Sequence, residues 1–180
     1  MSTLIQNPGR IRDLSTAMAQ GAITAEALVQ RYLARIATVD GQVKAWIHVL
    51  ADSALAEARV LDAERKAGML RSPLHGIPVG IKDVIDVRGL PTRANSPSRA
   101  DIAPASADAT VVAHLRAAGA IILGKTNLDQ FATGLVGVRT PYPVPRNAAS
   151  PDYVPGGSSS GSAVAVARGI VTLSLGTDTA

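Results

Sequence analysis

The sequence predicts an α/β fold built on a parallel or mixed sheet. Three observations carry that prediction. Leu28, Val29, Tyr32, Leu33 and Ile36 recur at helical spacing and mark one apolar helix face. Two short apolar runs, within Leu74 to Ile85 and from Ala120 to Gly124, behave as strands. Between them Val111, Val112, Leu115 and Ala118 share one side of a helix, so the order is strand, helix, strand, the rhythm of a βαβ unit.

The elements follow in order. Thr24 is placed to cap the first clear helix, with Glu26 near its positive end. Ala45 to Leu50 is short, apolar and extended. Asp52 to Lys66 is rich in Ala, Leu, Glu and Arg, and Gly68 stops it. Composition changes at Leu70, after which Gly76, Pro78 and Gly80 punctuate the first strand run. Pro91 to Pro104 has no period and reads as a long loop, a length often tied to function. Ser106 or Asp108 caps the next helix and Gly119 ends it. Ala120 to Gly124 is a strand buried on both faces. Asn127 opens a short helical segment through Asp129, Phe131 and Ala132. Arg139 to Pro155 is a second Pro-rich loop. Gly156 to Ser162 (GGSSSGS) leads into a small-residue helix, Ala163 to Arg168, closed by Gly169. Ile170 to Leu175 is a strand, and Gly176 to Ala180 is turn chemistry. No internal repeat or linker interrupts this order. The chain reads as the front part of one larger domain, with a helical leader over about 1–70 and an α/β part over about 71–180.

Composition narrows the function. The 180 residues include 18 Lys+Arg, 14 Asp+Glu and no Cys, giving a net charge of +4, and 47% are apolar. That apolar share fills a core and argues against disorder. The lack of Cys removes disulfides, thiolate zinc sites and a Cys nucleophile. His48, His75 and His114 lie at no metal-ligand spacing and form no Ser-His-Asp arrangement; each reads as a satisfied or exposed side chain. The aromatics are few, and the basic residues are unclustered. Arg65-Lys66 and Arg31 with Arg35 read as solvated helix faces. Nucleic acid is therefore not an expected partner. No run approaches the ~18 apolar residues of a spanning helix, and Met1 to Arg10 lacks the apolar core of a secretory signal. A cytoplasmic protein with no membrane partner is expected.

Three segments carry chemistry. Lys82 stands in the middle of an apolar strand. Period two puts Val79, Ile81, Asp83 and Ile85 on one face and Gly80, Lys82, Val84 and Asp86 on the other. Such a lysine is either an edge-strand gatekeeper or a buried functional amine, whose depressed pKa would suit a general base. Asp83, pointing away from Lys82, reads as structural. The GGSSSGS run is either a flexible linker or a set of backbone N–H groups and hydroxyls at a helix start, suited to an anion or a proton relay. It is not a phosphate-binding loop of the G-x-x-x-x-G-K-[ST] type. Asp178, after the last strand, either caps a helix or ties down a turn.

Together the segments resemble the amidase signature family in order and spacing. They are Gly76-Ile77-Pro78-Val79-Gly80-Ile81-Lys82-Asp83, then Gly124-Lys125-Thr126-Asn127-Leu128-Asp129-Gln130-Phe131, then GGSSSGS leading to Leu175-Gly176-Thr177-Asp178-Thr179-Ala180. The resemblance runs from about Leu74 onward. Within the family, Asn127 to Asn147 and Gly156 to Gly169 look most like allophanate hydrolase, which hydrolyses the terminal amide of allophanate to ammonia and carbon dioxide. Ser160 stands where the tRNA-dependent amidotransferases more often have glycine. Val84 departs from the asparagine expected in allophanate hydrolases.

The resemblance implies the N-terminal portion of a mixed β-sheet sandwiched by helices, and a Ser–cis-Ser–Lys triad. Lys82 matches the lysine and Ser158 the cis-serine. The nucleophilic serine belongs to the continuation of Gly176-Thr177-Asp178-Thr179-Ala180, beyond the chain. Backbone N–H groups around Thr179 and Ala180 would form the oxyanion hole. Ser159 and Asp178 would support the geometry, and the loop around Gly134 would line the acyl pocket. No cofactor and no metal are implied. The partner is a small amide substrate, with homodimerisation open for a full-length protein. The alternatives are the amidase component of a tRNA-dependent amidotransferase and a non-enzymatic anion-binding module.

Overall fold

The computed structural model describes residues 9–178. Helices α1 (Ile11–Ala19), α2 (Ala25–Val43) and α3 (Ala51–Lys66) come first, with strand β1 (Trp46–Val49) between the last two. Strand β2 (Pro78–Lys82), helix α4 (Thr110–Ala117), strand β3 (Ile121–Thr126), helix α5 (Ser160–Ala167) and strand β4 (Leu173–Leu175) follow. The strands form one mixed sheet in the order β1-β3-β2-β4. β2 runs parallel to β3 and to β4, while β1 is antiparallel to β3.

Two apolar clusters sandwich this sheet. One joins Leu14 and Met18 of α1, the inner faces of α2 and α3, and Val164 and Ala165 of α5 to Ile121 and Leu123 of β3. The other joins Val112 of α4 to Val79, Ile81 and Ile122. Local chemistry explains the helix starts. The Thr24 hydroxyl accepts from the Ala27 N–H at 3.0 Å, and the Asp62 carboxylate of α3 accepts from Ala25 N and Glu26 N. α3 thus helps cap α2, which fixes how the pair packs.

Several expectations change. Neither Ser106 nor Asp108 caps α4, whose N-cap is Ala109. The Asp108 carboxylate is engaged instead by Arg88 N and by the Arg116 guanidinium. Arg35 is no solvated charge: it donates to the Arg168 and Gly169 carbonyls at the end of α5. Arg65 likewise donates to the His75 carbonyl. The segment after Asn127 is only a 3₁₀ turn, Gln130–Ala132, with Phe131 and Ala132 in the left-handed region. α5 begins inside the GGSSSGS run, at Ser160, and β4 is confined to three residues. β2 ends at Lys82, so that residue closes the strand and does not lie at its middle.

α5 approaches the sheet closely because Gly161 has no side chain. A Cβ there would overlap the Ala45 carbonyl and both backbone polar atoms of Asn127. Gly41 of α2, by contrast, faces nothing within 4 Å. Gly161→Ala is expected to destabilise the protein by about 3 kcal/mol through overpacking. Gly41→Ala should stabilise it by roughly 0.5 kcal/mol. Urea unfolding of both variants checks this; equal midpoints would refute the close-approach role of Gly161.

Candidate active site

Lys82 ends an interior strand, flanked by β3 and β4, and is 0% exposed. An edge gatekeeper needs solvent, so the interior position excludes that reading. Its Nζ donates to Ser158 Oγ at 2.7 Å, to Ser159 Oγ at 2.9 Å and to Thr177 Oγ1 at 2.6 Å. These three hydroxyls match the three donors of an ammonium. Among the described residues no carboxylate forms an ion pair with the amine. Burial pushes the Lys82 amine down to about 8, while the negative charge of Asp129 pulls the other way.

Sheet position and helix entry create this arrangement. Lys82 pairs in register with Thr126 of β3, whose hydroxyl bonds Ser162 of α5 at 2.7 Å. Ser162 in turn donates to the Leu175 carbonyl of β4. α5 is thereby pinned across the strand ends, and the residues just before it arrive over Lys82. The Gly157–Ser158 peptide bond is cis. Ser159 precedes α5 but its hydroxyl caps no helix N–H; it accepts from Lys82 and Thr177 N and donates to the Thr177 carbonyl.

Asp129 is completely buried and organises the surrounding loops. Its carboxylate accepts from Gly137 N at 2.9 Å and Arg139 N at 2.8 Å, and its own N–H donates to the Ser158 carbonyl at 2.9 Å. A Cβ on Gly157 would overlap Asp129 Oδ2, which explains the glycine before Ser158. Gly134 packs on the same carboxylate: a Cβ there would lie 2.7 Å from Asp129 Cγ. Asn127 is a second buried hub. Its Oδ1 accepts from Asn95 and Leu128 N, its Nδ2 donates to the Lys44 and Pro143 carbonyls, and its carbonyl accepts from Gly161 N.

The structure therefore brings Lys82, Ser158 and Ser159 together, with Gly134 in the adjoining loop. Asp178 is exposed, and its neighbour Thr177 is the residue that reaches Lys82. Thr179 and Ala180 lie outside the described residues. Asp83 pairs with Lys125 at 2.9 Å on the other side of the sheet, both buried. His48 and His114 are exposed, and buried His75 contacts the Leu61 carbonyl through Nε2. Thr177, Asp129 and Asn127 escaped sequence reading as site residues, although all three sit inside the quoted segments. Carboxylate and carboxamide side chains in a run heading for the core were the available signal. Among the described residues no three acidic or imidazole side chains converge as metal ligands would. None of their helices is long and apolar enough to cross a membrane.

The amine itself can be titrated. A ¹⁵N NMR titration of Lys82 Nζ should give a midpoint near 8, well below the ordinary lysine value of 10.5. Asp129→Asn removes a charge that favours the ammonium, so the midpoint should fall further. An ordinary lysine midpoint in the native protein would refute the buried-amine geometry.

Comparison with known proteins identifies the family. A family model described as Amidase matches residues 27–180. The A component of the glutamyl-tRNA(Gln) amidotransferase of Thermobifida fusca is 48% identical over 93% of this chain and 33% of its own length. The urea amidolyase of Saccharomyces cerevisiae is 53% identical over 81% of this chain and 8% of its own length. A solved structure described as a vestigial complex revealing the origins of an s-triazine catabolic enzyme superposes with a TM-score of 0.92. It is 37% identical and covers 95% of this chain and 37% of that one. The chain thus spans about a third of the length of the amidotransferase components it matches. Its match to the family across residues 27–180 and its identity to these relatives place it plainly: the chain belongs to the amidase signature family.

Proposed function

We propose that the protein to which this chain belongs is an amide hydrolase that uses Lys82 as base and Ser158 as proton relay. The observation that carries this reading is the 2.7 Å contact between the Lys82 amine and the Ser158 hydroxyl, with Lys82 wholly buried. A serine hydroxyl is a weak nucleophile until a neighbour takes its proton. Neutral Lys82 accepts a proton from Ser158, which accepts one from an attacking serine in sequence that follows Ala180. The serine oxygen bonds to the amide carbonyl, the C–N bond breaks, and the proton returns through Ser158 to the departing ammonia. Water then cleaves the acyl-serine. Thr177 and Ser159 hold the amine in line, and Thr179 and Ala180 supply oxyanion donors in this reading.

Only the neutral amine can act as base. Activity should therefore rise with pH through about 8, as the lowered Lys82 pKa is crossed. In the full-length protein, Lys82→Ala and Ser158→Ala should each lose about a thousandfold in kcat with the fold retained. Full turnover by a folded Lys82→Ala protein would sink the assignment.

For substrate, we favour allophanate. Support comes from the Asn127 to Asn147 stretch, from Ser160, and from the likeness to urea amidolyase and to the s-triazine catabolic structure. A second reading, the amidase component of a tRNA-dependent amidotransferase, is favoured by relatives of that kind across 91% and 93% of the chain. Parallel assays separate them. Ammonia release from allophanate by the protein alone supports the first; glutamine hydrolysis that appears only with a co-purified partner supports the second.

A further inference from the structure

A cavity of about 400 Å³ opens on the side of the sheet away from Lys82. That volume lies in the range of small-ligand sites. Its floor is the Lys125–Asp83 ion pair, both members buried. Lys125 is held there by two more contacts, to the Ile85 carbonyl at 2.9 Å and to Thr92 Oγ1 at 3.3 Å. The pair is internally neutral, so the floor adds polarity without net charge.

Arg93 supplies the unbalanced charge in the wall. Its side chain makes no hydrogen bond or ion pair among the described residues, and its Nε is out of solvent with no acceptor. A guanidinium in that state leaves rigid, forked donors unused. The segment carrying it is firmly built. The next residues, Ala94 and Asn95, both adopt left-handed conformations. Buried Asn95 ties the segment to Asn127, the Leu128 carbonyl and Thr140, and Ala94 N donates to the Asp83 carbonyl. The remaining walls are mainly apolar: Ile47, Leu90, Pro91 and the Tyr142 ring, with exposed His48 also lining the cavity.

We propose that this cavity is a second ligand site, for a small carboxylate with an apolar body. The carboxylate seats on the fork of Arg93 through two parallel N–H···O bonds. The body lies against Leu90, Pro91 and Tyr142. This site stands apart from the Lys82 chemistry and shares no side chain with it.

Benzoate is a suitable probe, with benzamide as its uncharged counterpart and inorganic phosphate as an anion without an apolar body. NMR titration of the full chain should show saturable benzoate binding that shifts Tyr142 ring and Arg93 Nε–H resonances. Benzamide and phosphate should bind at least about tenfold more weakly, reflecting loss of the charge-assisted bonds or of the apolar contact. Arg93→Gln should lose benzoate by a similar factor while its thermal unfolding curve stays unchanged. Absence of saturable benzoate binding would overturn the proposal. So would equal binding of benzamide or phosphate, or full benzoate affinity in folded Arg93→Gln. No amide hydrolysis enters the readout, so the result is independent of the function proposed above.

Discussion

Lys82 carries its amine to the end of an interior strand and meets three hydroxyls there, with no carboxylate on it. Water is excluded, so the charged form loses hydration that hydroxyls replace only in part. The pKa of the amine is consequently pushed down to about 8. Lys125, one strand over, shows the alternative. It pairs with Ile81 in register and so faces away from Lys82, and there it meets Asp83 directly. Two buried lysines in adjacent strands thus receive opposite treatment, one neutralised by an ion pair and one left to hydroxyls.

The hydroxyls reach Lys82 because α5 is clamped on the sheet. Thr126, Ser162 and the Leu175 carbonyl form a line of contacts that spans β3, α5 and β4. Gly161 removes the side chain that would lift the helix away. The contacts act at the first turn of α5, so the Ser158–Ser159 segment has little freedom of approach. The packing that buries Val164 and Ala165 is also what positions the polar residues one turn earlier.

Loops complete the site, and buried polar hubs keep them in shape. Asp129 accepts from two backbone N–H groups of the 134–139 segment and donates its own to Ser158. Asn127 does the same between β3, the end of α2 and α5. Buried polar groups that are fully engaged rigidify their surroundings. That lets irregular chain hold a geometry that strands and helices would otherwise have to supply.

Much of this was legible in one dimension. Apolar periodicity marked α2 and α4, because burial imposes a period of about 3.6 on helices; composition marked α3, and short apolar runs marked β2 and β3. Alternation along β2 already separated Lys82 from Asp83, and the Gly-Ser run marked the chain segment that meets Lys82. Capping and pairing were less legible. Asp108 looked like a cap and serves Arg88 and Arg116 instead; Arg35 and Arg65 looked solvated and bond distant carbonyls. Whether β2 lay at an edge, which hydroxyls surround Lys82, and that Asp129 props the Ser158 turn were decided only by the tertiary fold. Those contacts join residues far apart along the chain, and local sequence preference carries no information about which distant partner will arrive.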